Sequence, residues 1–189
     1  MTKRWMSLKR WMSLIAVALL VLPAAAAAQR GGGMQIWQNE AVADLEQMRD
    51  KFLSLAEAFP EDTWDWSPME GTRSVHDVMV LMVVEGNIFP GMWGASPASG
   101  AADGFGPETA RVSAMSKAGI IREMERWLNH IIESVRSMTG PERNAEASWF
   151  GTATNGAGVV MHAIMDMHEH LGQSIAYART NQIVPPWSM

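Results

Sequence analysis

Four apolar stripes, each recurring every three or four residues, constrain this chain more than any other feature. The first runs from about Ile36 to Phe59, with Val42, Leu45, Met48, Phe52, Leu55 and Phe59 on one face and Pro60 as its stop. The second opens at Ser74, where Asp77 stands at capping-box spacing, and carries Val78, Met79, Met82 and Phe89 to Pro90. The third, Lys117 to Met138, aligns Ile120, Ile121, Met124, Trp127, Leu128, Ile131, Val135 and Met138, and ends before Gly140 and Pro141. The fourth, from about Gly158 to Thr180, aligns Val160, Ile164, Met167, Leu171, Ile175 and Ala178. No segment alternates with period two, so strands are not expected. The chain has 16 Met, and those within these stripes read as core filler.

Connections then select a topology. Helices two and three are separated by about 25 residues, Pro90 to Ser116, rich in Gly, Ala, Ser and Pro and without a period. A helix of about 16 residues is roughly 24 Å long, which such a linker spans easily, so helices two and three can run parallel. The expected fold is all-α, a four-helix bundle in up-down-down-up order with a long crossover between helices 2 and 3.

Residues 1–28 stand apart from this pattern. Lys3, Arg4, Lys9 and Arg10 precede the apolar run Leu14 to Leu22, and Pro23 with Ala24 to Ala28 supplies a small-residue cleavage site before Gln29. The run is shorter than the roughly 20 apolar residues of a membrane span. The segment reads as a signal peptide, with residues 29–189 as the exported domain, secreted or periplasmic. It also repeats KRWMSL, at residues 3–8 and 9–14, which only lengthens its basic front.

Charge and cysteine content exclude whole classes of function. Of 15 Lys and Arg, the four in residues 1–28 are lost on cleavage, leaving 11 against 20 Asp and Glu, a formal −9. Such a domain repels polyanions, so nucleic acid is not an expected partner, and neither is a membrane after signal cleavage. With no Cys, thiolate zinc sites, iron–sulfur clusters, disulfide scaffolds and cysteine nucleophiles are excluded. No G-x-S-x-G elbow or phosphate-binding glycine loop is present. The remaining chemistry belongs to His, carboxylates and hydroxyls.

Two stretches carry a family likeness. KFLSLAEAFPEDTWDWSPMEGTRS, Lys51 to Ser74, and EHLGQSIAYARTNQIVPPWS, Glu169 to Ser188, resemble the two signature regions of the DinB-like (DinB/YfiT) superfamily. The most specific parts are the Leu-Ala-Glu-x-x-Pro-Glu run into a Trp-rich turn before Arg73-Ser74, and His170-Leu171-Gly172-Gln173 followed by Tyr177-x-Arg179 and Ile183-Val184-Pro185-Pro186. The resemblance implies a four-helix bundle, a habit of homodimerising and, in many relatives, a divalent metal held by one His of helix two and an H-x-x-x-H pair of helix four.

Position by position, that ligand set is altered. His170 matches the family's last His, but Asp166 stands where the pair's first His belongs, and the helix-two position falls near Leu81. An aliphatic side chain has no lone pair, so the ordinary site reads as degraded. Substitutes exist: His162, Asp166 and His170 share one face at i, i+4 and i+8, and Glu85 lies one turn beyond Leu81. Asp166, His170 and Glu85 are therefore the candidate metal ligands, a His and carboxylate set suited to Zn, Ni, Mn or Fe. At 100° per residue His170 lies about 90° from the centre of the apolar stripe, Asp166 about 130° and His162 about 170°, which turns His162 toward water.

The other distinctive residues read as structural. His76, His130 and His168 lie on or beside helix faces, Trp64 and Trp66 plug the end of the bundle, and Arg179, Asn181 and Pro185-Pro186 form a helix stop. Where the resembled family has Gly, Gln182 follows Asn181, so one of the two takes an unfavourable turn at a cost of about 1 kcal/mol. Two functions are expected. The first is a noncatalytic bundle that kept the scaffold without the metal and binds a small-molecule ligand or a protein. The alternative, implied by the resemblance, is a metal-dependent enzyme of thiol-dependent transferase or isomerase type with a rebuilt site.

Overall fold

Ser74 opens the second helix as its spacing predicts. Its hydroxyl accepts the Asp77 N–H, and the Asp77 carboxylate accepts the Ser74 N–H in return, so two otherwise orphaned donors are satisfied. The computed structural model describes residues 35–188. The signal-peptide reading of residues 1–28 lies outside them. In chain order the elements are α1 (35–58), a 3₁₀ turn at Glu61–Thr63, α2 (Val75–Met92), α3 (Phe105–Ser113) and α4 (Lys117–Ser137). There follow α5 (Gly140–Asn144), β1 (Glu146–Trp149), β2 (Thr152–Asn155), α6 (Gly156–Thr180) and a 3₁₀ turn at Pro186–Ser188.

Residues Met1–Glu40 and Ala41–Met189 are separate units, and of the first only the opening turns of α1 are described. There Gln35 Nε2 donates to Asn39 Oδ1. In the second unit the four stripes do become the core: Leu45, Phe52, Met79, Met82, Met124, Leu128 and Ala178 are fully buried. Helix α2 packs against α3, α4 and α6. Covered on so many sides, it is apolar almost all round, with a mean hydropathy of 1.2 that would also suit a membrane span. Where α2 meets α4, Gly86 lies flat against the Trp127 ring, leaving no room for a β-carbon.

Three expectations need correction. Helix α2 continues two residues past Pro90 before Gly94, at φ +88°, turns the chain. The crossover is not structureless, since α3 forms within it. Its anchor is Glu108, fully buried, whose carboxylate accepts from Asn87 Nδ2, the Ala102 N–H and the Arg111 guanidinium. Arg111 in turn meets Glu123 of α4 at 3.1 Å. A composition rich in Gly and Pro hides such a helix, because long-range partners rather than propensity hold it.

The third correction is a β-hairpin. β1 and β2 pair antiparallel, Glu146 opposite Asn155 and Trp149 opposite Thr152, around Phe150 and Gly151 at φ +46° and +88°. Two positive φ values make the tight turn that suits a right-twisted hairpin. Strands of four residues are too short to show a period, and Phe-Gly is not the Asn-Gly usual at such a turn. Phe150 is held in this conformation by ring contacts with Phe89, Phe105 and Trp149.

Candidate metal centre

The i, i+4 spacing of Asp166 and His170 places both on one flank of α6, and α2 brings Glu85 against that flank. His170 Nε2 lies 3.6 Å from Glu85 Oε2 and 3.8 Å from Asp166 Oδ2. One donor atom from each residue falls within 4.8 Å of the other two. The group is largely enclosed, the side chains of His170, Glu85 and Asp166 being 15%, 12% and 27% exposed.

These separations are too long for hydrogen bonds. With both carboxyl groups ionised, neither Glu85 Oε2 nor Asp166 Oδ2, both inaccessible to solvent, has a hydrogen-bond donor among the described residues, and only a proton on Glu85 lets the two carboxyls bond to each other. Two ligands about 2.1 Å from one ion stand roughly 3.4 Å apart at a tetrahedral angle, close to the spacing observed. Burial, followed by the neighbouring Asp166 charge, pushes the Glu85 carboxyl up to about 8, and the Arg73 guanidinium opposes this only partly. Two adjacent half-buried carboxyl groups therefore call for a positive charge between them, either a proton or a cation. An imidazole and two carboxyl oxygens that converge without donors fit a divalent ion.

Behind the ligands, His170 Nδ1 meets Gln173 Oε1 at 3.2 Å, and Gln173 Nε2 donates to the Tyr177 hydroxyl at 2.9 Å. Tyr177 donates onward to the Arg73 carbonyl at 3.0 Å and packs edge-on against Trp66. The Trp-rich turn before α2 thus supports the site from below. The sequence could place Gln173, Tyr177 and Arg73 in motifs, but contributed no reason for them to touch.

All three candidate ligands come together. Leu81, half-buried, offers no donor, and Glu85 one turn later reaches His170 in its stead. His162 does not join them and does not face water. It is half-buried, stacked on Trp149 at 5.4 Å and 15°, because the unforeseen hairpin covers that side of α6. The remaining histidines have structural partners. His168 Nε2 meets Asp44 Oδ2 at 2.8 Å, His130 Nε2 the Ser96 carbonyl at 2.8 Å, and the His76 ring lies edge-on to Trp64.

The family model described as the DinB superfamily matches residues 44–174, more than half of the chain. The chain belongs to the DinB superfamily. Among solved structures, a DinB-like protein from Bacillus subtilis aligns with this DinB-superfamily chain at a TM-score of 0.61 and 14% identity. That alignment covers 77% of this chain and 94% of the other. A putative DinB family member from Exiguobacterium sibiricum gives 0.52 and 17%, over 76% and 90% of the two chains. At these identities the likeness is one of fold. No curated protein matches.

Proposed function

We propose that this DinB-superfamily chain binds a divalent metal through Glu85, Asp166 and His170, and that the site has been rebuilt rather than lost. The observation that carries this reading is the pair of solvent-inaccessible carboxylate oxygens without hydrogen-bond partners, both facing His170 Nε2. The noncatalytic expectation counted Leu81 as a deleted ligand and Asp166 as a changed one. Glu85 answers the first, and Asp166 is itself a ligand type.

One imidazole and two carboxylates suit Zn, Mn, Fe(II) or Ni, and three protein ligands leave room for a further group. A divalent ion held there would act as a Lewis acid toward a small substrate or lower the pKa of a water or thiol brought to it. The chain's own contributions are separable. Glu85 and Asp166 supply negative charge, His170 supplies a neutral donor, and the Arg73 guanidinium tempers the Glu85 charge. The enzyme reading of thiol-dependent transferase or isomerase type gains support from this ligand set.

The up-down-down-up order remains part of the proposal, supported by pairs of residues at matched ends. The Lys117 ammonium, at the start of α4, binds the Phe59 carbonyl after α1, while Glu46 pairs with Arg136 at the far end of α4. Lys117 also lies over Trp64, which touches His76 at the start of α2. Tyr177, near the end of α6, bonds to Arg73 just before α2.

Elemental analysis of the purified protein, with His170→Ala and Glu85→Gln alongside, tests the metal reading. Near-stoichiometric Zn, Ni, Mn or Fe in the wild type and its loss in both variants are expected. A wild-type protein that takes up none of these ions, even after reconstitution, refutes it.

A further inference from the structure

The hydrogen-bond chain behind His170 has a direction that its chemistry fixes. It ends on the Arg73 carbonyl, which can only accept. The Tyr177 hydroxyl has one proton and commits it to that carbonyl, so toward Gln173 its oxygen must accept. The Gln173 amide nitrogen supplies that bond, which turns the amide oxygen toward His170 Nδ1. An amide oxygen also only accepts, so Nδ1 carries the hydrogen. A neutral imidazole has one N–H, and Nε2 is left with a bare lone pair facing Glu85 Oε2 and Asp166 Oδ2.

We infer that Gln173 and Tyr177 are positioning residues whose one-way hydrogen-bond chain from the Arg73 carbonyl locks His170 in the Nδ1–H form, presenting Nε2 to a divalent cation. The inference rests on the metal reading for its purpose but not for its geometry. Because Arg73 immediately precedes the Ser74 cap, the start of α2 and the orientation of a ligand on α6 are set by the same turn. Outer partners of this kind commonly fix ligand tautomers in metal sites.

The test is nitrogen NMR of the full-length, metal-free protein labelled at histidine, recorded with the ring neutral, the His170 signals being assigned by comparison with His170→Ala. The wild type is expected to show a protonated Nδ1 and a bare Nε2. Tyr177→Phe, which keeps the ring packed on Trp66, should shift population toward Nε2–H, and Gln173→Leu should abolish the preference. Gln173→Glu should restore it, because a carboxylate still accepts from Nδ1. In zinc titrations the Leu variant should bind about 10- to 100-fold more weakly than wild type, with the Glu variant close to wild type. Wild-type Nε2–H, a ring that keeps both protons, or variants indistinguishable from wild type would overturn the inference. A locked Nδ1–H form in a protein that binds no zinc upholds it and removes the metal reading instead.

Discussion

Gly86→Ala opposes two effects of known size. Alanine in a helix interior is favoured over glycine by about 1 kcal/mol, so propensity alone predicts a more stable protein. Against this, the new methyl would overlap the benzene half of the Trp127 indole. Trp127 is 1% exposed and among the largest buried side chains, so its ring can yield only by displacing other core residues. Forcing an extra carbon into such a core costs about 1–3 kcal/mol, and more when the obstacle is a rigid ring. The overlap wins, and a net loss of about 1–2 kcal/mol is expected, read as a lower urea midpoint at unchanged slope. Glu85 is the preceding residue, so any separation of α2 from α4 also shifts its carboxyl group away from His170 and weakens zinc binding. Combining the substitution with Trp127→Leu should recover part of the α2–α4 fit, making the double variant less unstable than the sum of the singles. A Gly86→Ala protein equal to or more stable than wild type would refute the close-packing argument.

Other expectations follow from single features. Burial alone would raise the Glu108 carboxyl, but hydrogen bonds from Arg111, the Ala102 N–H and Asn87 outweigh it and hold its pKa below the ordinary 4.5. Its stabilising contribution is therefore present above pH 4.5 and lost as pH falls through the lowered folded value, so Glu108→Gln should flatten acid denaturation and destabilise the neutral protein by about 3 kcal/mol. Gln182 sits at φ +62°, and Gln182→Gly should raise stability by about 1 kcal/mol in thermal melts. Zinc at 100 times its dissociation constant should stabilise the wild type by about 2.7 kcal/mol over chelator-treated protein, and leave Glu85→Gln almost unchanged.

Much of the bundle was legible because burial leaves a periodic trace. The Leu45 to Phe59 stripe and, apart from half-buried Ile121, the Ile120 to Val135 stripe are buried as expected, and the Ser74–Asp77 cap marks the start of α2 to the residue. The Glu85, Asp166 and His170 set was legible as chemistry, since lone pairs can be counted from residue types. Whether Glu85 reached His170 was not, because it depends on the rotation of α2 about its axis. That rotation is set by Gly86 against Trp127, a contact between residues 41 positions apart. Both α3 and the hairpin were hidden for a related reason: Glu108 needs Asn87 and Phe150 needs Phe89 and Phe105, partners distant in sequence, and neither segment is long enough to repeat a pattern.

The sequence by itself determined which faces of the long helices are apolar, where α2 begins and which donor atoms were available, all properties of neighbouring residues. Only the tertiary structure decided that His162 stacks on Trp149, that Glu85 comes within 3.6 Å of His170, and that Gln173 aims its oxygen at His170. Local periodicity fixes which side of an element seeks burial. The few ångströms that separate an unrelated carboxylate from a ligand are set by side-chain volumes and hydrogen-bond directions across helices, which no local pattern encodes.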